Sequence, residues 1–132
     1  MKNILSTALS AAILLTSTLT SQVTADTLDD VVDRGTLRCG VVLDFPPIGY
    51  RDEDNNPAGF DVDYCADLAT ALEVEHEILA LTWSERLPVI VTGRADVVFG
   101  GTSDSLARAR TVGFSIPYAI YYAQGVVGAD TG

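Results

Sequence analysis

The sequence is nearly devoid of lysine. Lys2 is the only one in 132 residues. Histidine, methionine and tryptophan also occur once each, and there are only two cysteines, Cys39 and Cys65. One histidine, His76, and two cysteines without metal-site spacing leave too few ligands for a metal centre. Also missing is an unbroken apolar run of the ~20 residues that a membrane-spanning helix needs. The longest apolar segment, Ile4 to Leu19, is interrupted by Ser and Thr.

What stands at the N-terminus is an export signal. Lys2 supplies the positive start, Leu5, Leu9, Ile13, Leu14 and Leu15 the apolar centre, and Val23-Thr24-Ala25 the small residues before a cleavage point. This pattern predicts a signal peptide over residues 1–25, removed after Ala25. The remaining 107 residues are enough for one domain. They keep seven arginines and no lysine against 18 Asp plus Glu, a formal charge of −11. Such a surplus repels nucleic acid and anionic membranes. Much of it sits in a turn, Asp52-Glu53-Asp54, and reads as a solvated acidic surface rather than as a cation receptor. Export also places both cysteines in an oxidising compartment, where an even count favours a disulfide.

The patterning then alternates. Thr27, followed by Leu28-Asp29-Asp30, starts a helix as its cap, and Gly35 ends it. Thr36 to Leu43 is a buried strand by its β-branched, apolar run. Asp44 to Gly59 is a long polar connection with a turn at Asp54-Asn55-Asn56-Pro57. Asp61 to Glu73 is a helix with Val62, Cys65, Ala66, Ala69 and Leu72 on one face. Glu75 to Leu81 is a second strand, and Ser84 caps a short helix that Gly93 ends. Ala95 to Phe99 is a third strand, Ser105 to Arg110 a short helix, and Tyr118 to Val127 a last extended run. Strand–helix alternation with short connections predicts an α/β fold with a parallel sheet.

In such folds ligands sit beyond the carboxyl ends of the strands. Those ends carry Asp44, Phe45 and Tyr50, then Trp83, then Gly100-Gly101-Thr102-Ser103 with Arg108 one helix later. Two aromatics facing across a cleft can hold an apolar ligand body. A glycine turn before a helix exposes N–H groups to an anion, and an arginine meets a carboxylate with two parallel bonds. Together they predict a receptor for a small carboxylate.

Gly59-Phe60-Asp61-Val62-Asp63, Arg86-Leu87-Pro88, Gly93-Arg94-Ala95-Asp96 and Phe114-Ser115-Ile116-Pro117-Tyr118 resemble, in order and spacing, the signature of family 3 extracellular solute-binding proteins. The resemblance runs over residues 27–127. The cysteine-containing stretches Leu37-Arg38-Cys39-Gly40-Val41 and Asp61-Val62-Asp63-Tyr64-Cys65 resemble its general L-amino-acid-binding branch. The resemblance implies a type II periplasmic binding protein fold, no cofactor, and a partner ABC permease in the inner membrane. It implies that Phe45 and Trp83 flank the ligand, that Gly101 and Ser103 hold its amino and carboxylate groups, beside the Thr102 hydroxyl that the strand-end reading adds, and that Arg108 clamps its α-carboxylate. Asp44 and Tyr50 are more distant candidates. In the resembling branch cysteines stand at these places, and strand–helix packing brings Cys39 and Cys65 together, so a Cys39–Cys65 disulfide is expected.

That fold has two lobes and about twice this length. The expected arrangement is therefore a first lobe over residues 26–127, including the crossing strand, a truncated end at 128–132, and no second lobe. A one-sided site would bury little of a ligand, and the exposed crossing strand would favour self-association. Two other classes share the resemblance: a sensor lobe that signals to a membrane receptor, and a dehydratase acting on cyclic carboxylic acids. The latter needs a general acid, for which the strand ends offer Asp44 and Glu85.

Overall fold

The computed structural model describes residues 26–122, 125, 126, 128 and 129. Residues 1–25, the expected signal peptide, and 130–132 lie outside the described residues. Helix α1 spans Thr27–Arg34. Asp29 and Asp30 occupy its first turn and Arg34 its last, matching the helix dipole. Thr27 is not the cap. Asp26 holds that position, because its carbonyl already accepts from Asp30 N at 3.1 Å, and no side chain caps the end. Gly35, at φ 70°, closes the helix by donating to the Val31 and Val32 carbonyls.

Strand β1, Thr36–Val42, is central to a three-stranded sheet. Strands β4, Glu75–Leu81, and β5, Val97–Phe99, flank it, both parallel to it. Between β1 and β4 lies helix α2, Phe60–Ala71, and between β4 and β5 helix α3, Arg86–Val91. Because strand side chains alternate, β1 faces two cores. Leu37, Cys39 and Val41 pack with Val31, Cys65, Ala69 and Phe99. Val42 packs with Leu81, Val89 and Ala95 on the other face. On that second face Gly40 has no room for a side chain, since a Cβ there would lie 2.6 Å from Leu81 and 2.9 Å from Val98. The expected disulfide is formed: Cys39 and Cys65 are joined, with Cα atoms 6.2 Å apart and no solvent exposure.

The connection from 44 to 59 is more ordered than a polar loop. It contains a hairpin of β2, Tyr50–Arg51, and β3, Pro57–Ala58. At its tip Asp52 Oδ1 accepts from Asp54 N at 3.0 Å and Asn56 N at 2.8 Å. Gly59, at φ 110°, lets this loop dock on α2: a Cβ there would lie 2.7 Å from the Pro47 and Ile48 carbonyl oxygens. Those carbonyls accept from Phe60 N and Asp61 N, the first donors of the helix.

Ser84 does not cap α3. Glu85 is the cap residue, and its carboxylate turns back to accept from Thr82 N at 2.8 Å and Thr82 Oγ1 at 2.7 Å. Helix α4 is only Leu106–Ala109, capped by the Ser105 hydroxyl, which accepts from Arg108 N. The run expected as a strand over 118–127 forms none among its described residues; 123, 124 and 127 lie outside them. Tyr118 instead turns inward onto Phe99 and Asp61.

Candidate functional site

Parallel strands deliver all their carboxyl ends to one edge. Phe45 follows β1, Trp83 follows β4, and Gly100 to Ser103 follow β5. Both Phe45 and Trp83 are 40% exposed. Their ring centroids stand 5.5 Å apart at an interplanar angle of 73°, an edge-to-face contact. This corrects the expected sandwich. A body held between two faces needs roughly twice a 3.5–4 Å contact distance. The rings therefore make one continuous wall, which Tyr121 extends at 6.3 Å from Phe45.

The turn after β5 is built around two arginines. Arg86 Nη1 donates to Gly100 O at 2.9 Å, Gly101 O at 3.2 Å and Thr102 Oγ1 at 3.3 Å. Its Nε donates to Trp83 O at 2.8 Å, and its Cζ lies 4.9 Å from the Trp83 ring centre. Arg108 Nη1 donates to Ser103 O at 3.0 Å. Among the described residues neither arginine has an acidic partner; the ion pairs are Arg34–Asp96 and Arg38–Asp96. Burial, then the nearby Arg108 charge, hold the Arg86 guanidinium below its ordinary pKa. The edge is thus locally cationic on a strongly acidic chain.

Gly101 adopts φ +56° and its Cβ position meets nothing within 4 Å, so its backbone is open to an incoming group. Thr102 is half-buried and Ser103 exposed, so both hydroxyls reach the edge from the same turn as Arg108. Asp44 is exposed beside Phe45. Tyr50 is not brought to this site: it pairs with Ala58 in the hairpin and makes no ring contact with Phe45 or Trp83.

Three contributors escaped sequence reasoning. Arg86 stood inside a recognised motif, but nothing in its spacing announced that it reaches 14 positions onward. Asp61 is 1% exposed and accepts at Oδ1 from Tyr118 Oη at 3.1 Å, while Oδ2 is buried without a partner among the described residues. Burial pushes the Asp61 carboxyl up, the Tyr118 hydrogen bond opposing. Tyr118 is pushed up to about 12 by burial and then by the Asp61 charge. A motif of alternating acids in Gly59-Phe60-Asp61-Val62-Asp63 hinted at Asp61 only as a helix start. A groove of about 700 Å³ opens along the same turn, lined by Arg86, Gly101, Thr102, Ser103, Tyr118 and Tyr121 among others.

Residues 37–132 match the bacterial extracellular solute-binding proteins, family 3. The chain is 35% identical over 91 residues to the cyclohexadienyl dehydratase of Pseudomonas aeruginosa, covering 69% of this chain and 34% of that protein. It is 33% identical over 126 residues to the general L-amino acid-binding periplasmic protein AapJ of Rhizobium johnstonii, covering 92% and 36%. The chain thus spans about a third of the length of these relatives. Among solved structures, the Phe57Trp mutant of the arginine-bound form of domain 1 from TmArgBP is similar at 38% identity and a TM-score of 0.67, over 70% of this chain and 71% of that one. The parallel sheet, the disulfide-tied α2 and the match over residues 37–132 converge on one conclusion: the chain belongs to the family 3 bacterial extracellular solute-binding proteins, whose relatives here include periplasmic amino-acid-binding proteins.

Proposed function

We propose that this chain is the first, ligand-receiving lobe of a periplasmic receptor that delivers an L-amino acid to an ABC importer. The carrying observation is the pair Arg86 and Arg108, without acidic partners among the described residues, converging on the Gly100–Ser103 turn. In this reading Arg108 takes the α-carboxylate with two parallel bonds. Gly101 N–H, Thr102 Oγ1 and Ser103 Oγ receive the other polar atoms, and the Trp83–Phe45 wall packs against the aliphatic part of the ligand. Asp44, exposed beside Phe45, leaves a cationic side chain open as well as a neutral one. The signal peptide over residues 1–25 carries the chain to the periplasm.

A single lobe is a sufficient receptor in this reading. The similar domain 1 from TmArgBP is an arginine-bound form of one domain. That relieves the requirement, drawn from the sequence, for a second lobe to enclose the ligand before any binding occurs.

The similarity to cyclohexadienyl dehydratase raises a second reading, an enzyme acting on a cyclic acid. Its general acid would have to come from the strand ends. Glu85 is unsuited: the Thr82 N–H and hydroxyl hold its carboxyl below the usual range and keep it ionised. We therefore favour binding without turnover.

Thermal unfolding of the oxidised protein with each L-amino acid at millimolar concentration tests the proposal. Binding to the native state raises the midpoint by mass action. A shift by one ligand class, absent in Arg108→Ala, supports the receptor. Turnover of a cyclic dienyl acid with no amino-acid shift would replace it with the enzyme.

A further inference from the structure

Residues 113–121 form neither helix nor strand, yet they line the same groove as the Gly100–Ser103 turn. Among the described residues one hydrogen bond ties this stretch to the rest of the fold, from Tyr118 Oη to Asp61 Oδ1 at 3.1 Å. Ring packing seats the same side chain. Tyr118 stacks on Phe60 at 6.1 Å, meets Tyr64 at 5.3 Å, and stands edge-on to Phe99 at 5.9 Å. Asp61 is a costly residue at its place: it is buried in the first turn of α2, and its Oδ2 finds no partner among the described residues. An apolar side chain of similar volume would fill the space without desolvating a carboxyl. What it could not do is accept the Tyr118 proton.

What this anchor holds in place is Tyr121, three positions on. The Tyr121 ring centroid lies 6.3 Å from that of Phe45. Its neighbours Ile120 and Tyr122 are 77% and 85% exposed, whereas Tyr121 is 50% exposed, so of the three it is Tyr121 that turns inward. Tyr121 also lines the groove together with Gly101, Thr102 and Ser103. It is therefore the ring shared by the wall that Trp83 and Phe45 begin and the groove at the turn. A tyrosine there offers an apolar ring and a hydroxyl that both donates and accepts. The 6.3 Å from Phe45 to Tyr121 is more than a methyl group spans and within the reach of a long side chain.

We propose that Tyr121 is a specificity-determining residue of the binding edge, extending the Phe45–Trp83 wall so that it favours L-amino acids with a long side chain ending in a polar group, and that Tyr118, anchored by Asp61, is the positioning residue that holds it there. The placement of Tyr121 by Tyr118 stands on the unliganded geometry. The choice of ligand rests on the receptor reading above.

Ring-proton NOEs in the oxidised, isotope-labelled chain, measured without ligand, test the positioning. The Phe45–Tyr121 NOE is expected in the wild type and should weaken several-fold in Tyr118→Phe, which keeps the ring and removes the hydrogen bond. The Tyr64–Phe99 NOE should stay at wild-type strength, since those rings meet each other directly at 5.4 Å. Asp61→Asn keeps an acceptor oxygen and should behave as wild type. An unchanged Phe45–Tyr121 NOE in Tyr118→Phe overturns the positioning role, and loss of the Tyr64–Phe99 NOE as well marks a merely structural one. Titration with L-arginine, L-glutamine and L-alanine tests the specificity. Tyr121→Ala, at a half-exposed position, should weaken binding of arginine and glutamine by about fivefold, the scale of one aromatic contact, and leave alanine unchanged. Tyr121→Phe should retain most of the affinity. Equal weakening for all three amino acids, or none, overturns the specificity, as does a wild-type chain that prefers alanine. If the wild-type chain binds none of the three while the NOE pattern appears, the receptor reading fails and the placement of Tyr121 by Tyr118 stands.

Discussion

Arg86 Nη1 donates to the Gly100 carbonyl oxygen at 2.9 Å, while the same guanidinium holds Trp83 O through Nε at 2.8 Å. One side chain thus ties the end of β4 to the end of β5. Replacing Arg86 by Ala removes charge-assisted bonds to three residues of the turn and the cation beside the Trp83 ring. The expected outcome is a loss of about 2 kcal/mol of stability, within the range for hydrogen bonds from charged groups. Urea unfolding measures it. Trp83 fluorescence should also shift to longer wavelength, since Trp83 is the only tryptophan.

Arg108 presents a different balance. Its Nη1 bond to Ser103 O is exposed, so Arg108→Ala should leave unliganded stability within about 0.5 kcal/mol, as is usual for exposed substitutions. Ligand affinity should nonetheless fall by about a hundredfold, the scale of a lost charge-assisted contact of ~3 kcal/mol. Calorimetric titration with the amino acid that shifts the wild-type melt separates the two effects.

Asp96 is 5% exposed at its side chain and receives Arg34 Nη2, Arg38 Nη2, Arg38 Nε and Arg38 N. Burial acts to raise its pKa, but the Arg38 bonds and the Arg38 and Arg34 charges together hold it below the ordinary carboxylate value. Removing the nearly buried carboxylate strands the part-buried Arg38, beside the exposed Arg34, so Asp96→Ala should cost roughly 2–3 kcal/mol. A depressed folded-state pKa gives stability that is complete above the unfolded value of 3.8 and disappears as pH falls through the lower folded value. Acid unfolding of Asp96→Asn should lack that component.

Asp61 carries the opposite sign. Burial raises its pKa in the folded state, so the folded chain holds this proton more tightly than the unfolded one. Stability from this group is therefore complete below 3.8 and declines as pH rises through the higher folded value. Asp61→Asn abolishes that decline. Chemical denaturation between pH 3.5 and neutrality should show a stability difference between wild type and Asp61→Asn that shifts in favour of the variant with rising pH.

The Cys39–Cys65 bond closes a loop with a sequence separation of 26. Loop-closure entropy assigns it about 3 kcal/mol. The double variant Cys39→Ser, Cys65→Ser should lose roughly that amount in urea unfolding, a large share of a small domain's stability. Equal unfolding of the double variant and the oxidised wild type would show that the unfolded chain is not restrained by the bond.

Local chemistry made much of this chain legible. Alternating apolar runs and helix stops gave three parallel strands with helices between them, because burial periodicity is a property of neighbouring residues. The same holds for Cys39 and Cys65, which alternation and helical spacing place on facing surfaces. The strand-end candidates Phe45, Trp83, Gly101, Thr102, Ser103 and Arg108 follow from connectivity, since parallel strands must share one carboxyl edge. Capping was less readable: Thr27, Ser84 and the true caps Asp26 and Glu85 lie one residue apart, and a hydroxyl beside an acid carries no sign of which one closes the helix.

What the sequence by itself determined, then, is the alternation of elements, the disulfide and the set of side chains at the carboxyl edge of the sheet, all dictated by spacing along the backbone. Only the tertiary structure decided how those side chains meet. It closed Phe45 against Trp83 into one wall, sent Arg86 onto the Gly100–Thr102 turn, and buried Asp61 beneath Tyr118 across 57 positions of sequence. Such contacts depend on distances between elements that fold from far apart, and no local pattern encodes them.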